Sequence, residues 1–318
     1  MRGKRFPFLQ MAVLFIFLLG LAGCASSGRP EPSTAIDPWK DGVLSGQRIV
    51  TPHFELFTTV TDTEFVAALP RLLESAHDQF EKTLPSPADN HRLTSYLFQS
   101  RPQWEHFCRE RWPARSDVVT RIHLGGYTSG DTSASFFADR STAIATLVHE
   151  SWHQYVAARF DSMPGWLHEG MACYFEAVEW DGATPRCGSV RNSFRLNSLR
   201  AALEPGRWRP LAELLDSRVA DLLGSGDSCA THEYYAQVWA LVVYLQHSGQ
   251  NAHAQTLTTL FHDIADGSLR TKVSAWRVTS GVAPDIDYAA AVFQTYFGSN
   301  LAPMDLALKQ YAQKLCGL

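Results

Sequence analysis

Thr142-Ala143-Ile144-Ala145-Thr146-Leu147-Val148-His149-Glu150-Ser151-Trp152-His153-Gln154-Tyr155-Val156 is the stretch on which the reading of this chain turns. Ile144, Leu147, Val148 and Val156 give an apolar stripe at helical spacing, and residues 142–160 read as one long amphipathic helix with Ser141 as its cap. Four residues advance a helix by slightly more than one turn, so His149 and His153 emerge on the same face, close enough to share a metal ion. Glu150 follows the first histidine directly, and its carboxylate reaches a water beside that ion rather than the ion itself. This is the HExxH arrangement, in which zinc lowers the pKa of a water and the glutamate takes its proton. Two histidines so spaced can also be ordinary hydrogen-bonded core groups, so the surrounding sequence matters.

A third ligand has to come from elsewhere. Residues 166–176 read as a second helix after a short loop, with Pro164 just before it. They carry three candidates: His168, Glu169 and Glu176. Glu169 is favoured because Gly170 and Ala172 are small enough to bring this helix close to the first. Glu176, two turns on, reads as an outer partner or a solvent-facing group.

Working outward, residues 53–60, 93–98, 118–124 and 133–138 read as strands, with helices over 63–82 and 102–111 and a turn marked by glycines 125, 126 and 130. Beyond residue 180 the pattern is helical: 194–203, 211–223, 233–246, 252–263 and 289–315. The expected architecture is therefore α+β, with a small mixed sheet and helices over residues 51–180 and a mainly helical part over 181–318 that completes a cleft. No Gly-x-Gly-x-x-Gly or Walker sequence is present, so nucleotide binding has no support.

The run from His149 to His153, followed by Pro164-x-Trp166-Leu167-x-Glu169-Gly170-x-Ala172-x-Tyr174, resembles the gluzincin branch of the zincin metallopeptidases, and within it the bacterial peptidase-MA-like families. The resemblance spans about residues 50–315 and includes Tyr235-Ala236-Gln237-x-Trp239-Ala240-Leu241 and Phe293-x-x-Tyr296-Phe297-Gly298. It implies a zincin-like fold, Zn2+ held by His149, His153 and Glu169, Glu150 as general base, and a peptide or protein substrate. Tyr235 is the candidate for stabilising the oxyanion, with Tyr234 and His232 as rivals. An edge strand for substrate pairing would come from residues 126–128 or 133–137. Two features depart from better-known branches. Only fifteen residues separate His153 from Glu169, and Cys173 stands where thermolysin-like enzymes carry an aspartate that orients a zinc histidine, so that partner must come from elsewhere or be absent. Cys173 reads as core packing or as half of a disulfide, with Cys187 as a partner, and Arg191, Arg195 and Arg200 as a solvated helix face or a contact for an acidic chain or a C-terminal carboxylate.

The amino-terminus reads as an address. Arg2, Lys4 and Arg5 precede an apolar run over 11–19 that is too short to span a bilayer, and Leu21-Ala22-Gly23-Cys24 resembles a bacterial lipobox. Residues 1–23 are then a lipoprotein signal peptide, with Cys24 acylated in the membrane and residues 24–50 a flexible tether rich in Ser, Gly and Pro. Ala25 after the cysteine is the pattern of outer-membrane lipoproteins facing the periplasm. The whole chain of 318 residues is 45% apolar with a formal charge of −4, which excludes disorder and argues against a nucleic-acid backbone binder. The function expected is that of an envelope-anchored zinc peptidase. The alternatives are a non-catalytic lipoprotein of the same fold that binds peptide, glycan or protein, and a structural lipoprotein. The oligomeric state is open.

Overall fold

The computed structural model describes residues 34–86, 91–119, 121–122, 125–180, 184–249, 251–282 and 285–318. The expected signal segment, Cys24 and the first ten residues of the expected tether lie outside them. The architecture is α+β: a six-stranded mixed sheet surrounded and followed by helices.

The strands are β1 (Ala35–Asp41), β2 (Leu44–Val50), β3 (Phe54–Thr58), β4 (Leu93–Phe98), β5 (Gly126–Ser129) and β6 (Thr132–Phe136), in the spatial order β1-β2-β3-β4-β6-β5. β4 runs parallel to both β3 and β6, and every other pairing is antiparallel. Two expectations are corrected here. Residues 35–50 are not a tether but a hairpin, turned at Gly42 with φ +54°. Its outer strand is held by backbone bonds and leaves nearly all its side chains exposed, so it needs no apolar signature, while Leu44 and Ile49 of β2 are buried. Residues 116–119 are a short helix rather than the start of a strand, despite their β-branched composition. Val119 is there 1% exposed in a cluster with Phe98, Trp104 and Phe107, so packing overrides strand propensity.

Alternation along β3 and β4 divides the two faces of the sheet. Phe54, Leu56, Leu93 and Leu97 face the main core, beneath α1 (Thr63–Thr83) and α4 (Arg140–Ala157), whereas Phe98 joins the opposite cluster under α2 (Arg101–Arg111). α5 (Gly165–Phe175) follows α4, and after the small ribbon of β7 (Val178–Glu179) and β8 (Arg186–Cys187) the chain is helical. α3 is the helix Ser116–Val119. The later helices are α6 (Ser193–Ala202), α7 (Leu211–Asp216), α8 (Val219–Ser225), α9 (Ser228–His247), α10 (Asn251–Ala265), α11 (Leu269–Ser280), α12 (Tyr288–Phe297) and α13 (Leu301–Cys316).

The segment expected as one helix over 211–223 breaks at Ser217, which is extended, and that over 289–315 breaks at Gly298, whose φ of +92° no helix accommodates. α11 has no counterpart among the expected elements, because only Leu269 and Val273 of it are buried and its apolar stripe is correspondingly thin. α9 is the reverse case. Every residue from Ala236 to Leu245 is buried, so this helix forms the axis of the second half. One apolar cluster runs from Ile49 of β2 to Cys316 of α13, and residues 51–180 and 181–318 therefore share a core.

Candidate metal centre

α4 is fixed to the sheet before any chemistry is considered. Asp139, not Ser141, caps it, accepting from the Thr142 backbone N–H at 2.9 Å, because Ser141 already lies in its first turn. Gln154, fully buried one residue past His153, donates to the carbonyls of Thr94 and Asp131, both at 2.7 Å. Its own oxygen accepts from Ser95 of β4 and Ser133 of β6, each at 3.0 Å. That network locks the rotation of α4, so the face bearing His149 and His153 points away from the sheet toward α5. α5 is fixed in turn by Gly170: a Cβ there would lie 2.6 Å from Val242 Cγ2 and 2.7 Å from the Val238 carbonyl oxygen of α9. The Trp152 indole N–H donates to the His168 carbonyl at 3.1 Å and ties the two helices together.

Between α4 and α5 three electron-rich atoms converge. His149 Nε2 and His153 Nε2 are 3.1 Å apart, and Glu169 Oε2 lies 3.7 Å from the first and 3.3 Å from the second. Ligands about 2.0 Å from a common tetrahedral ion stand about 3.3 Å from one another. Glu169 Oε2 is buried without a hydrogen-bond partner, an arrangement that carries a large cost unless a cation faces it. The electrostatics agree. Burial disfavours the Glu169 carboxylate, but the two nearby histidines, His153 foremost, hold its pKa well below the ordinary value. Burial likewise disfavours charge on His149, yet the surrounding Cys173, Glu169 and Glu176 hold its pKa well above the ordinary value. The anionic surroundings that favour a proton on His149 would equally attract a metal cation, which competes with that proton for Nε2. The donor set of two imidazoles and one carboxylate, with room for a further ligand, suits zinc.

Behind the histidines lies an outer layer. Glu176 Oε2 accepts from His149 Nδ1 at 2.9 Å, which leaves the lone pair of Nε2 directed at the centre. Glu176 is itself held by Arg195, through Nε at 2.6 Å and a terminal nitrogen at 2.8 Å, and by Asn192 Nδ2 at 2.8 Å. Burial opposes the charge on Glu176, but Arg195 outweighs it and takes the pKa to about 2. Arg195, expected on a solvated face, is thus buried in an ion pair. His153 Nδ1 lies 2.9 Å from His168 Nε2, and burial together with the charge of His153 pushes the His168 pKa down to about 3, so His168 is a neutral acceptor. Cys173 turns its sulfur toward His149 and Glu176, with ligand atoms of the three within 4.8 Å of one another. That trio is the poorer metal set, since Glu176 is already saturated by Arg195 and Asn192. Neither Cys173 nor Cys187 is in a disulfide; both are buried free thiols, as is Cys108.

Glu150 is buried on the cleft side of α4, its Oε2 accepting from Thr128 Oγ1 of β5 at 2.5 Å. β5 passes so close that a Cβ on Gly126 would sit 2.8 Å from Glu150 Cγ. Of the two expected edge segments, β5 is the edge and β6 is interior. Tyr235 of α9 lies against His149, with ring centroids 6.0 Å apart, and beneath Arg195, whose guanidinium carbon is 5.0 Å from the ring centre. Of its rivals, Tyr234 is sequestered in the core, while His232 lines the cleft against Phe194. Thr128, His149, Glu150, His232 and Tyr235 open on a cavity of about 1050 Å³ walled by β5, α4, α5, α6, α8 and α9.

Sequence reasoning did not single out Thr128, Gln154 or Asn192, nor the role of Arg195. None carries a local signal, because each acts on an element remote in sequence.

A family model described as a protein of unknown function (DUF1570) matches residues 143–265. The match takes in His149, Glu150, His153, Glu169 and Tyr235. The comparison with curated proteins finds no match. Among solved structures, the chain is similar to an aminopeptidase N family protein from Idiomarina loihiensis, at 14% identity and a TM-score of 0.38 over 87% of this chain and 49% of that one. The chain spans about half the length of that protein.

Proposed function

We propose that this protein is a zinc-dependent peptidase of zincin-like fold, anchored to the bacterial envelope through acylated Cys24. The observation that carries the reading is the convergence of His149, His153 and Glu169 within 3.1 to 3.7 Å beside a carboxylate, Glu150, that takes no part in it. Zinc held by those three residues would polarise a scissile carbonyl and acidify a water.

The chain's own groups supply the rest. Glu150 takes a proton from the attacking water and passes it to the departing amine, the two tasks of one general acid–base. Thr128 donates to one carboxylate oxygen of Glu150 and so fixes which oxygen faces the water. Tyr235, beside His149 on the cleft wall, is the group assigned to the oxyanion. Glu176 and His168 hold the two imidazoles in orientation, one from an ion pair and one as a neutral ring. The outer edge of β5 offers free backbone groups to an extended peptide.

The test is metal analysis and peptide-library cleavage on residues 34–318, for the wild type and Glu150→Gln. One zinc per chain in both, with cleavage reduced at least about a hundredfold in the variant, is the expected result. Zinc in both without cleavage in either would favour a binding protein of the same fold, and a folded chain that takes no zinc would overturn the reading.

A further inference from the structure

The cleft of a chain whose formal charge is −4 is lined by guanidinium groups. Its carboxylates are already engaged. Glu176 is held by Arg195, Glu169 faces two histidines, Glu150 accepts from Thr128, and Asp227 accepts from the Ala230 backbone N–H in capping α9. Two of the arginines are also accounted for: Arg195 pairs with Glu176, and Arg140 with Asp62 and Glu64.

Three are left. Arg121 donates to the Gly224 carbonyl at 2.9 Å, which places it but does not neutralise it. Arg115 and Arg191 line the cavity and make no ion pair with a carboxylate among the described residues. They come from different segments of the lining. Arg115 belongs to the turn before α3 and lies near enough to Tyr127 of β5 for its charge to act on that phenol. Arg191 precedes α6, next to the Asn192 that holds Glu176.

We propose that the cleft selects peptide segments carrying acidic side chains, received by Arg115 on the β5 wall and Arg191 on the α6 wall. The inference rests on the peptidase reading for its ligand class. Both arginines are exposed at the cavity lining, and unpaired cations there raise the local concentration of anions against the sign of the molecule as a whole. A peptide is favoured over other polyanions because the edge of β5 offers backbone pairing, which a nucleic acid or glycan does not use. The net negative charge of the rest of the protein also repels a long polyanion.

The experiment measures binding rather than turnover. Zinc-loaded Glu150→Gln protein is titrated by fluorescence anisotropy with extended peptides identical except for Glu, Gln or Lys at two positions. An oligogalacturonide and a short single-stranded DNA serve as other polyanions. The Glu peptide is expected to bind tightest, and the gap to the Gln peptide to shrink as salt rises. Arg115→Gln and Arg191→Gln should each weaken the Glu peptide about twofold to fivefold while leaving the Gln peptide unchanged, the range for loss of one exposed ion pair. Reversal in Arg191→Glu should bring the Lys peptide to or above the Glu peptide. Equal affinity for the three peptides, no peptide binding at all, or tighter binding of the glycan or DNA would overturn the proposal. If charge-blind cleavage accompanied by zinc were found in the wild type, acid selectivity would fail while the peptidase reading stood. If the chain took no zinc, the peptidase reading itself would fail.

Discussion

Glu176 shows how one residue changes the character of a neighbour it does not share a function with. Its carboxylate accepts from His149 Nδ1 and is kept ionised by Arg195 at a pKa of about 2. An anion behind an imidazole raises the electron density at the opposite nitrogen, so under the proposed zinc reading His149 would be the stronger nitrogen ligand, whereas His153 is backed only by the neutral ring of His168. Replacing Glu176 by Gln keeps a hydrogen-bonding oxygen but removes the charge and leaves Arg195 buried without its counterion. Zinc affinity is expected to fall about 10- to 100-fold, measured by competition with a chromophoric chelator. Glu169→Gln should cost considerably more, because it removes an anionic donor from the centre. Equal zinc affinity in wild type and Glu176→Gln would show that the ion pair is only structural.

A second residue sets a pH limit on stability. His77 of α1 is buried, stacked on His53 with ring centroids 3.8 Å apart, and burial together with the charge of His53 brings its pKa down from 6.5 to about 4. In the unfolded chain His77 takes up a proton near pH 6.5, while in the folded protein it does so only near pH 4. Between those values the unfolded state binds more protons, so stability falls as pH falls across the window, by about 3 kcal/mol in all. The melting temperature followed from pH 7 to 4 should therefore drop less steeply in His77→Phe than in the wild type. Parallel slopes would show that other groups dominate the acid limit.

Among the elements, the contact between α5 and α9 governs the site most directly. Gly170 lets α5 lie against Val238 and Val242, and the same approach sets the height at which Glu169 meets the histidines. In Gly170→Ala the added carbon meets a backbone oxygen as well as a side chain, so the helices must part. The expected cost is about 1 to 3 kcal/mol, seen as a lower melting temperature, together with weaker zinc binding as Glu169 retreats. The attachment of α4 to the sheet through Gln154 is the corresponding device on the other side. Gln154→Leu removes a donor from the Thr94 carbonyl and an acceptor from the buried Ser95 and Ser133 hydroxyls, while the Asp131 carbonyl keeps the Thr94 N–H, at about 1 to 3 kcal/mol for each group that stays buried and unpaired. An unchanged melting temperature in Gln154→Leu would argue that solvent or a neighbouring group replaces the lost bonds.

At the scale of the whole molecule, the candidate metal site lies where both halves of one continuous core meet, with its candidate ligands on α4 and α5 and cleft walls from α6, α8 and α9. An ion bound only in the folded state stabilises it by mass action, about 4 kcal/mol at a thousand times its dissociation constant. Chelation should accordingly lower the melting temperature by several degrees, and equimolar zinc should restore it. If the melting temperature did not respond to zinc, the three ligand atoms would have to be held together without an ion, at the cost of the buried orphan oxygen of Glu169.

The local elements with strong periodic patterns were legible in sequence: α1, β4, α2 and α5 agree with the expected spans to within one or two residues. So was the fact that His149 and His153 share a helical face, because helix geometry alone dictates it. Where local pattern was weak or misleading, packing decided. The polar hairpin over residues 35–50 is held by backbone bonds, the β-branched run near Val119 turns helical to fill a cluster, and α11 is carried by two buried residues. Sequence could also favour Glu169 over His168 as the third candidate ligand, but it left Glu176 open between an outer partner and a solvent-facing group. Only the tertiary structure separates Glu169 at the centre from His168 and Glu176 behind the two imidazoles, and only it draws Arg195 from an apparently solvated helix into a buried ion pair. The physical reason is the same in each case. The position of a residue along a helix is a local property fixed by the chain, whereas the partner a buried charge finds depends on elements that meet only after the core has closed.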